Sequence, residues 1–206
     1  TMAVEVSVCG VTTLPQVEMI QLSGADAIGL VLYDKSSRYV DLDDAIKLRR
    51  VISPDVLCVA LVVNADEKFV QSVISELKPD FIQFHGDETA EFCNQFNYPY
   101  IRAIRMSEGL NILDEVTGYK AEGGFLFDAW NEDHYGGTGE TFDWSRLPSE
   151  HNFNLILAGG LNPENVAAAV SSVRPYMVDV SGGVELSAGV KDEAKVLEFI
   201  RNAKYG

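Results

Sequence analysis

Eight apolar, β-rich runs alternate with eight helix-compatible segments, and the last two runs end in paired glycines. These observations predict an α/β chain folded as a single-domain (β/α)8 TIM barrel over residues 1–206. The runs lie at 4–9, 27–33, 57–63, 80–84, 100–105, 124–129, 154–158 and 176–180. Nearly continuous apolar strands fit a parallel sheet covered on both faces. Helices are expected at about 15–23, 42–52, 66–77, 89–96, 110–118, 143–147, 164–173 and 192–203. The last has Val196, Leu197, Phe199 and Ile200 along one stripe, while the sixth is short and weak. Asp41, Asp66, Thr89 and Asn162 stand near helix starts, where short polar side chains take up free N–H groups. A doubly wound sheet has fewer strands and a GxGxxG turn after the first; here that turn reads Cys9-Gly10-Val11-Thr12. The longest irregular stretch, Trp130 to Thr141, contains Tyr135-Gly136-Gly137-Thr138-Gly139 and suits a mobile loop over a site.

Composition narrows the partners. Of 206 residues, 47% are hydrophobic, enough for a sizeable core. With 31 acidic and 16 basic residues the formal charge is −15, which argues against nucleic acid and anionic membranes. Any positive field for an anionic substrate must therefore be local. Cys9, Cys58 and Cys93 cannot all pair within the chain and have no zinc-like spacing, so a reducing compartment and no zinc site are expected. No cofactor is expected. No apolar run reaches the ~18 residues of a spanning helix. The N-terminus lacks a secretory pattern, and Thr1 ahead of Met2 reads as a cloning remnant, so a cytoplasmic protein is expected.

The two glycine pairs define a candidate ligand cup. Leu155-Ile156-Leu157-Ala158-Gly159-Gly160 runs into Asn162-Pro163-Glu164-Asn165-Val166, and Met177-Val178-Asp179-Val180-Ser181-Gly182-Gly183-Val184-Glu185 follows. Glycines let backbone N–H groups approach a ligand. Pro163 fits a first helical turn, whose N-terminus attracts anions. In a barrel, the loops after strands 7 and 8 commonly hold phosphate.

The other strand ends present Cys9, Asp34 to Tyr39, Asn64, the group Gln83, His85, Gly86, Asp87 and Glu88, then Arg105 and Asp128. Cys58 and Cys93 read as core; Cys9 differs by abutting Gly10 at a strand end. Asp128 lies between Phe127 and Ala129, where an aspartate is costly to bury without a partner. His85 reads equally as a ligand contact or as support behind one. Arg38 and Arg105 have a second reading, as partners of the protein's own carboxylates. Asp87 and Glu88 read first as caps of the fourth helix.

Seven segments then occur in a telling order: Cys9-Gly10-Val11-Thr12, Lys35-Ser36-x-Arg38-Tyr39, Gln83-x-His85-Gly86-Asp87-Glu88, Phe127-Asp128-Ala129, Gly136-Gly137-Thr138-Gly139-x-Thr141-Phe142-Asp143-Trp144, Leu157-Ala158-Gly159-Gly160-Leu161 and Val178-Asp179-Val180-Ser181-x-Gly183-Val184-Glu185. As an ordered set covering essentially the whole chain, they closely resemble the phosphoribosylanthranilate isomerases of tryptophan biosynthesis. The resemblance implies an Amadori rearrangement of N-(5′-phosphoribosyl)anthranilate without redox change or metal. It also implies Asp128 as general acid, Cys9 as general base, and Arg38 as the grip on the anthranilate carboxylate. Gly160 and Ser181, Gly182 and Gly183 would hold the phosphate; His85, Asp179 and Gly159, inside matched motifs, complete the expected substrate site. Burial and a positive neighbourhood push the Cys9 thiol in opposite directions, and the sequence leaves that balance open.

The chain departs from the family at Ser7 and Glu140, where a basic residue is frequent, at Ser37, where proline is common, and at Gly182, where serine or asparagine is common. None of these touches Cys9 or Asp128. The related histidine-pathway isomerase would carry aspartate at position 9 and a second phosphate site earlier in the chain. A Schiff-base enzyme would need a strand-end lysine, and Lys35 in a loop is the only nearby lysine expected. A non-catalytic phosphosugar-binding barrel would have lost Cys9 or Asp128. The expected partner is a small phosphosugar–anthranilate substrate, and monomer and homodimer both stay open.

Overall fold

Eight parallel strands pair in sequence order and close on themselves in a computed structural model that describes residues 3–206. The reading of Thr1 and Met2 lies outside these residues. The strands are β1 (Glu5–Cys9), β2 (Ala27–Val31), β3 (Leu57–Val62), β4 (Phe81–Phe84), β5 (Tyr100–Met106), β6 (Gly124–Ala129), β7 (Leu155–Leu157) and β8 (Met177–Val180). Closure is made by β1 against β8, from Glu5 opposite Met177 to Val8 opposite Val180. All eight expected strands form, with ends within two residues of the predicted ones.

The helices are α1 (Leu14–Leu22), α2 (Leu42–Val51), α3 (Glu67–Ser72), α4 (Ala90–Asn94), α5 (Ile112–Val116), α6 (Val166–Val173) and α7 (Glu193–Tyr205). Asp41, Asp66 and Thr89 cap α2, α3 and α4 as expected, accepting from Asp44 N at 2.8 Å, Phe69 N at 2.7 Å and Phe92 N at 3.1 Å. The third expected helix continues past α3 as a π-helical turn, Val73–Leu77. The sixth is only a 3-10 turn, Trp144–Arg146. Asp143 binds the Ser145 N–H at 3.0 Å, and Pro148 follows too soon for a helix to extend. Asn162 accepts from Glu164 N and Asn165 N, both at 2.9 Å, in a turn ahead of α6. Pro163 therefore belongs to that turn rather than to the helix.

One element was not expected. After β8 a 3-10 turn (Gly182–Val184) leads into a short hairpin of β9 (Glu185–Ser187) and β10 (Val190–Lys191). The hairpin brings Lys191 back to the end of β1.

Strand periodicity positions the site. Val6 and Val8 point outward into the helix layer and are fully buried there, so Ser7 and Cys9 point to the axis. The same alternation sends Phe127 outward and Asp128 inward. Register aligns Ser7 with Asp179 across β1 and β8, and Arg105 with Asp128 across β5 and β6. Below, the axis is filled by Ala27, Val59, Ile101, Leu126, Ile156 and Met177; nearer the site it is filled by Val31, Leu61 and Val63. Each large apolar side chain buried this way contributes about 1.5–3 kcal/mol. A slip by one residue would exchange the two faces, so the core itself holds the polar side chains on the axis.

Candidate active site

The ten residues expected at the site line one cavity of about 550 Å³ at the C-terminal ends of the strands: Cys9, Arg38, His85, Asp128, Gly159, Gly160, Asp179, Ser181, Gly182 and Gly183. They come from six of the eight strand ends, which explains why their spacing in sequence is so wide.

Cys9 closes β1 and is 8% exposed. Its register partner is Gly29, where an added Cβ would lie 2.8 Å from the Cys9 sulfur. The missing side chain thus makes room for the thiol. Burial first, then the nearby Asp179, push this thiol up to about 12, against the pull of Lys191, Arg38 and the Gly10 N–H. Burial wins the balance that the sequence left open.

Asp128 accepts from the Ala129 N–H at 2.8 Å and lies 3.2 Å from Nε2 of His85. The opposite ring nitrogen, Nδ1, is 2.9 Å from Nε2 of Gln83. An amide nitrogen only donates, so His85 Nδ1 accepts and Nε2–H faces Asp128. His85 lines the cavity and also stands within hydrogen-bond reach of Asp128. Asp179 stands beside Ser7 on the axis, and its carboxyl is pushed up to about 7 by burial and then by the charge of Asp128. A Ser7 hydrogen bond, His85 and Lys191 act the other way.

Arg38 does hold a protein carboxylate. Its Nε donates to Glu185 Oε2 at 2.9 Å and its Nη2 to Oε1 at 2.7 Å. Such a fork fixes the guanidinium plane. Gly10, at φ 80, lets the arginine stem cross the end of β1, since a Cβ there would come within 2.5 Å of Arg38 Cδ. Nη1 has no protein acceptor among the described residues and lies under Gly137 of the glycine-rich loop. Arg38 can therefore keep Glu185 and still present N–H groups to the cavity.

Arg105 is different. It pairs with Asp87 at 2.8 Å and lies 4.3 Å over the Tyr135 ring, outside the cavity wall. Asp87 also accepts from the Tyr135 hydroxyl at 2.7 Å, so it ties down the glycine-rich loop rather than capping α4. Glu88 does not cap α4 either: it accepts from Gly86 N, Asn64 N and Arg102 Nη1, each at 2.8 Å. Thr89 alone does the capping. Cys58 and Cys93 are buried as expected.

The glycine loops face each other. An added Cβ on Gly183 would run into the Leu161 carbonyl, so the loops after β7 and β8 touch only because that side chain is absent. The N–H groups of Gly160, Gly182 and Gly183 donate to no protein acceptor among the described residues. The N–H groups of Glu164 and Asn165 are already taken by Asn162. The anion-ready donors are thus those of the glycines and not those ahead of α6.

Two residues escaped the sequence reading. Glu185 stood at the end of a matched motif without a role. Lys191 carried no signal at all, yet its Nζ lies 2.6 Å from the Cys9 carbonyl oxygen. Lys35 is therefore not the only lysine at the site. Lys191 is no candidate for Schiff-base chemistry, because its side chain is 0% exposed and it does not line the cavity. Among the described residues, no group of three or more His, Cys, Asp or Glu is arranged to hold a metal ion, and no helix is long and apolar enough to cross a membrane.

A family model described as N-(5′-phosphoribosyl)anthranilate (PRA) isomerase matches residues 6–202. The chain belongs to that family. The isomerase is 44% identical over 198 residues to the N-(5′-phosphoribosyl)anthranilate isomerase of Pseudomonas aeruginosa, covering 96% of this chain and 94% of the relative. It is 45% identical over 201 residues to that of Nitrosococcus oceani, covering 97% of each chain. Among solved structures, the phosphoribosylanthranilate isomerase of Thermotoga maritima superposes on the isomerase with a TM-score of 0.86 at 35% identity, over 98% of both chains. Another, crystallised with reduced 1-(o-carboxyphenylamino)-1-deoxyribulose 5-phosphate, gives 0.83 at 34% identity, again over 98% of both.

Proposed function

We propose that this isomerase carries out the Amadori rearrangement of N-(5′-phosphoribosyl)anthranilate to 1-(2-carboxyphenylamino)-1-deoxyribulose 5-phosphate in tryptophan biosynthesis, with Asp128 as general acid and Cys9 as general base. The observation that carries this reading is the meeting of four features in one cavity: Cys9, Asp128, the unpaired Nη1 of Arg38, and the facing glycine loops. A cavity of about 550 Å³ suits a ligand of this size. The solved relative that holds a reduced product analogue supports the same choice of ligand.

In this reading the phosphate lies on the N–H groups of Gly160, Gly182 and Gly183, beside Ser181 and Gly159. The anthranilate carboxylate takes the remaining N–H groups of Arg38. Asp128 gives its proton to the furanose oxygen, the C1′–O bond breaks, and the nitrogen lone pair forms the iminium. Cys9 then removes the C2′ proton, and the electron pair moves into a C1′=C2′ enolamine. Tautomerisation of the enol at C2′ gives the ketone. His85 keeps Asp128 turned into the cavity.

The high proton affinity of Cys9 makes its thiolate a minor species at neutral pH and, once formed, a strong base. A neutral Asp179 favours that thiolate, because the charge of Asp179 is what opposes it after burial. Three unpaired cysteines fit a reducing, cytoplasmic setting.

Cys9→Ser and Asp128→Asn test the assignment. Each swap is nearly isosteric, so affinity for a product analogue and the melting temperature should hold. Turnover of freshly generated substrate should fall by roughly 100-fold or more, as loss of a positioned acid or base does. A variant that binds the analogue and still turns over at the wild-type rate removes that residue from its role.

A further inference from the structure

The end of β1 carries more buried charge than the reaction scheme uses. Lys191 is fully enclosed, with a side-chain exposure of 0%, in a chain whose formal charge is −15. Its ammonium reaches the Cys9 carbonyl at 2.6 Å, the Ser181 carbonyl at 3.1 Å, the Ser181 hydroxyl at 3.3 Å and Glu185 Oε2 at 2.9 Å. Glu185 in turn holds Arg38 and accepts from the Gly189 N–H at 3.2 Å. A buried lysine is costly, and every proton of this one is directed at an acceptor. Each acceptor belongs either to the site or to the group that fixes Arg38.

We propose that Lys191 is a positioning residue for the isomerisation: it ties the Cys9 strand end, the Ser181 loop and, through Glu185, the guanidinium of Arg38 into one network. The proposal rests on the reading of Cys9 as base and of Arg38 as carboxylate grip. Two cations, Lys191 and Arg38, and one anion, Glu185, meet here behind the phosphate loop, and both cations act on the thiol against the charge of Asp179. This pair of cations is the local positive field that so acidic a chain needs for a substrate carrying both a phosphate and a carboxylate. It favours the Cys9 thiolate, in line with the downward pull of Lys191 on that thiol. It also explains the β9–β10 hairpin, whose turn delivers Lys191 and the Gly189 N–H to the same carboxylate.

A lysine that only fastened the hairpin would affect melting and not the reactivity of a cysteine on β1. The test is therefore the rate at which iodoacetamide alkylates Cys9 at pH 8, read by the mass of the Cys9 peptide, beside kcat and KM. Lys191→Met in the full chain should slow alkylation at least about tenfold, the equivalent of one pH unit in the thiol. It should also lower kcat and raise KM together. Glu185→Gln keeps both cations but releases Arg38, so KM should rise about tenfold while alkylation is not slowed. A folded Lys191→Met whose alkylation rate, kcat and KM all stay within twofold of wild type overturns the proposal. If Lys191→Met does not fold, Glu185→Gln decides alone, and a KM within twofold of wild type overturns it. A fully active Cys9→Ser would remove the base assignment and leave the alkylation result standing, so the two failures can be told apart.

Discussion

Asp179 offers a pH dependence that can be worked through from its surroundings. Burial, then the charge of Asp128, push its carboxyl from 3.8 to about 7. The folded chain therefore binds a proton that the unfolded chain has already released between these two values. Stability from this group is fully present below pH 4 and is lost as the pH rises through 7. The whole gap is worth on the order of 4 kcal/mol, and the part lost between pH 5 and pH 8 is about 2–3 kcal/mol. Asp179→Asn removes the ionisation at nearly constant shape. Denaturant unfolding of both proteins at pH 5, 6, 7 and 8 isolates the effect, because the other titrating groups are common to both. The variant's stability relative to wild type should rise by about 2–3 kcal/mol from pH 5 to pH 8. A difference that stays flat across this range would refute the burial argument. The same variant should alkylate faster at Cys9 at pH 8, since the charge of Asp179 is the second cause that raises the thiol.

Arg38→Ala should raise KM by the equivalent of about 2–5 kcal/mol, because its side chain is only 12% exposed, and lysine should rescue little for want of the fork. An unchanged KM would make Arg38 a partner of Glu185 alone. Gly183→Ala forces the loops after β7 and β8 apart at Leu161, so inorganic phosphate and product analogue should bind at least about tenfold more weakly by calorimetry, or about 1.4 kcal/mol. Affinities within twofold of wild type would move the anion elsewhere.

Much of the fold could be read from local pattern. The eight strands were visible because a strand buried on both faces must be apolar along its length, as Leu57–Val62 is. Caps such as Asp41 and Asp66 follow from a rule that acts over three residues. The weak sixth helix was the segment that failed, since Asp143 and Pro148 leave room for one 3-10 turn only. Where a local rule competes with a distant charge, the local rule misleads: Asp87 and Glu88 have the spacing of caps, yet their carboxylates pair with Arg105 and Arg102 on the neighbouring strand.

By itself the sequence determined the barrel, its strand parity and the residues at the strand ends, because hydrophobic period, glycine pairs and turn chemistry are local properties of the chain. Only the tertiary structure decided how those ends meet. Ser7 and Asp179 become neighbours through closure of β1 on β8, across more than half the sequence, and this brings the Asp179 charge to bear on Cys9. Arg38 acquires Glu185, and Lys191 folds back under Cys9, through contacts spanning 147 and 182 positions. Charge acts through space, so the balance between burial and positive field at the thiol exists only once these distant segments are packed together.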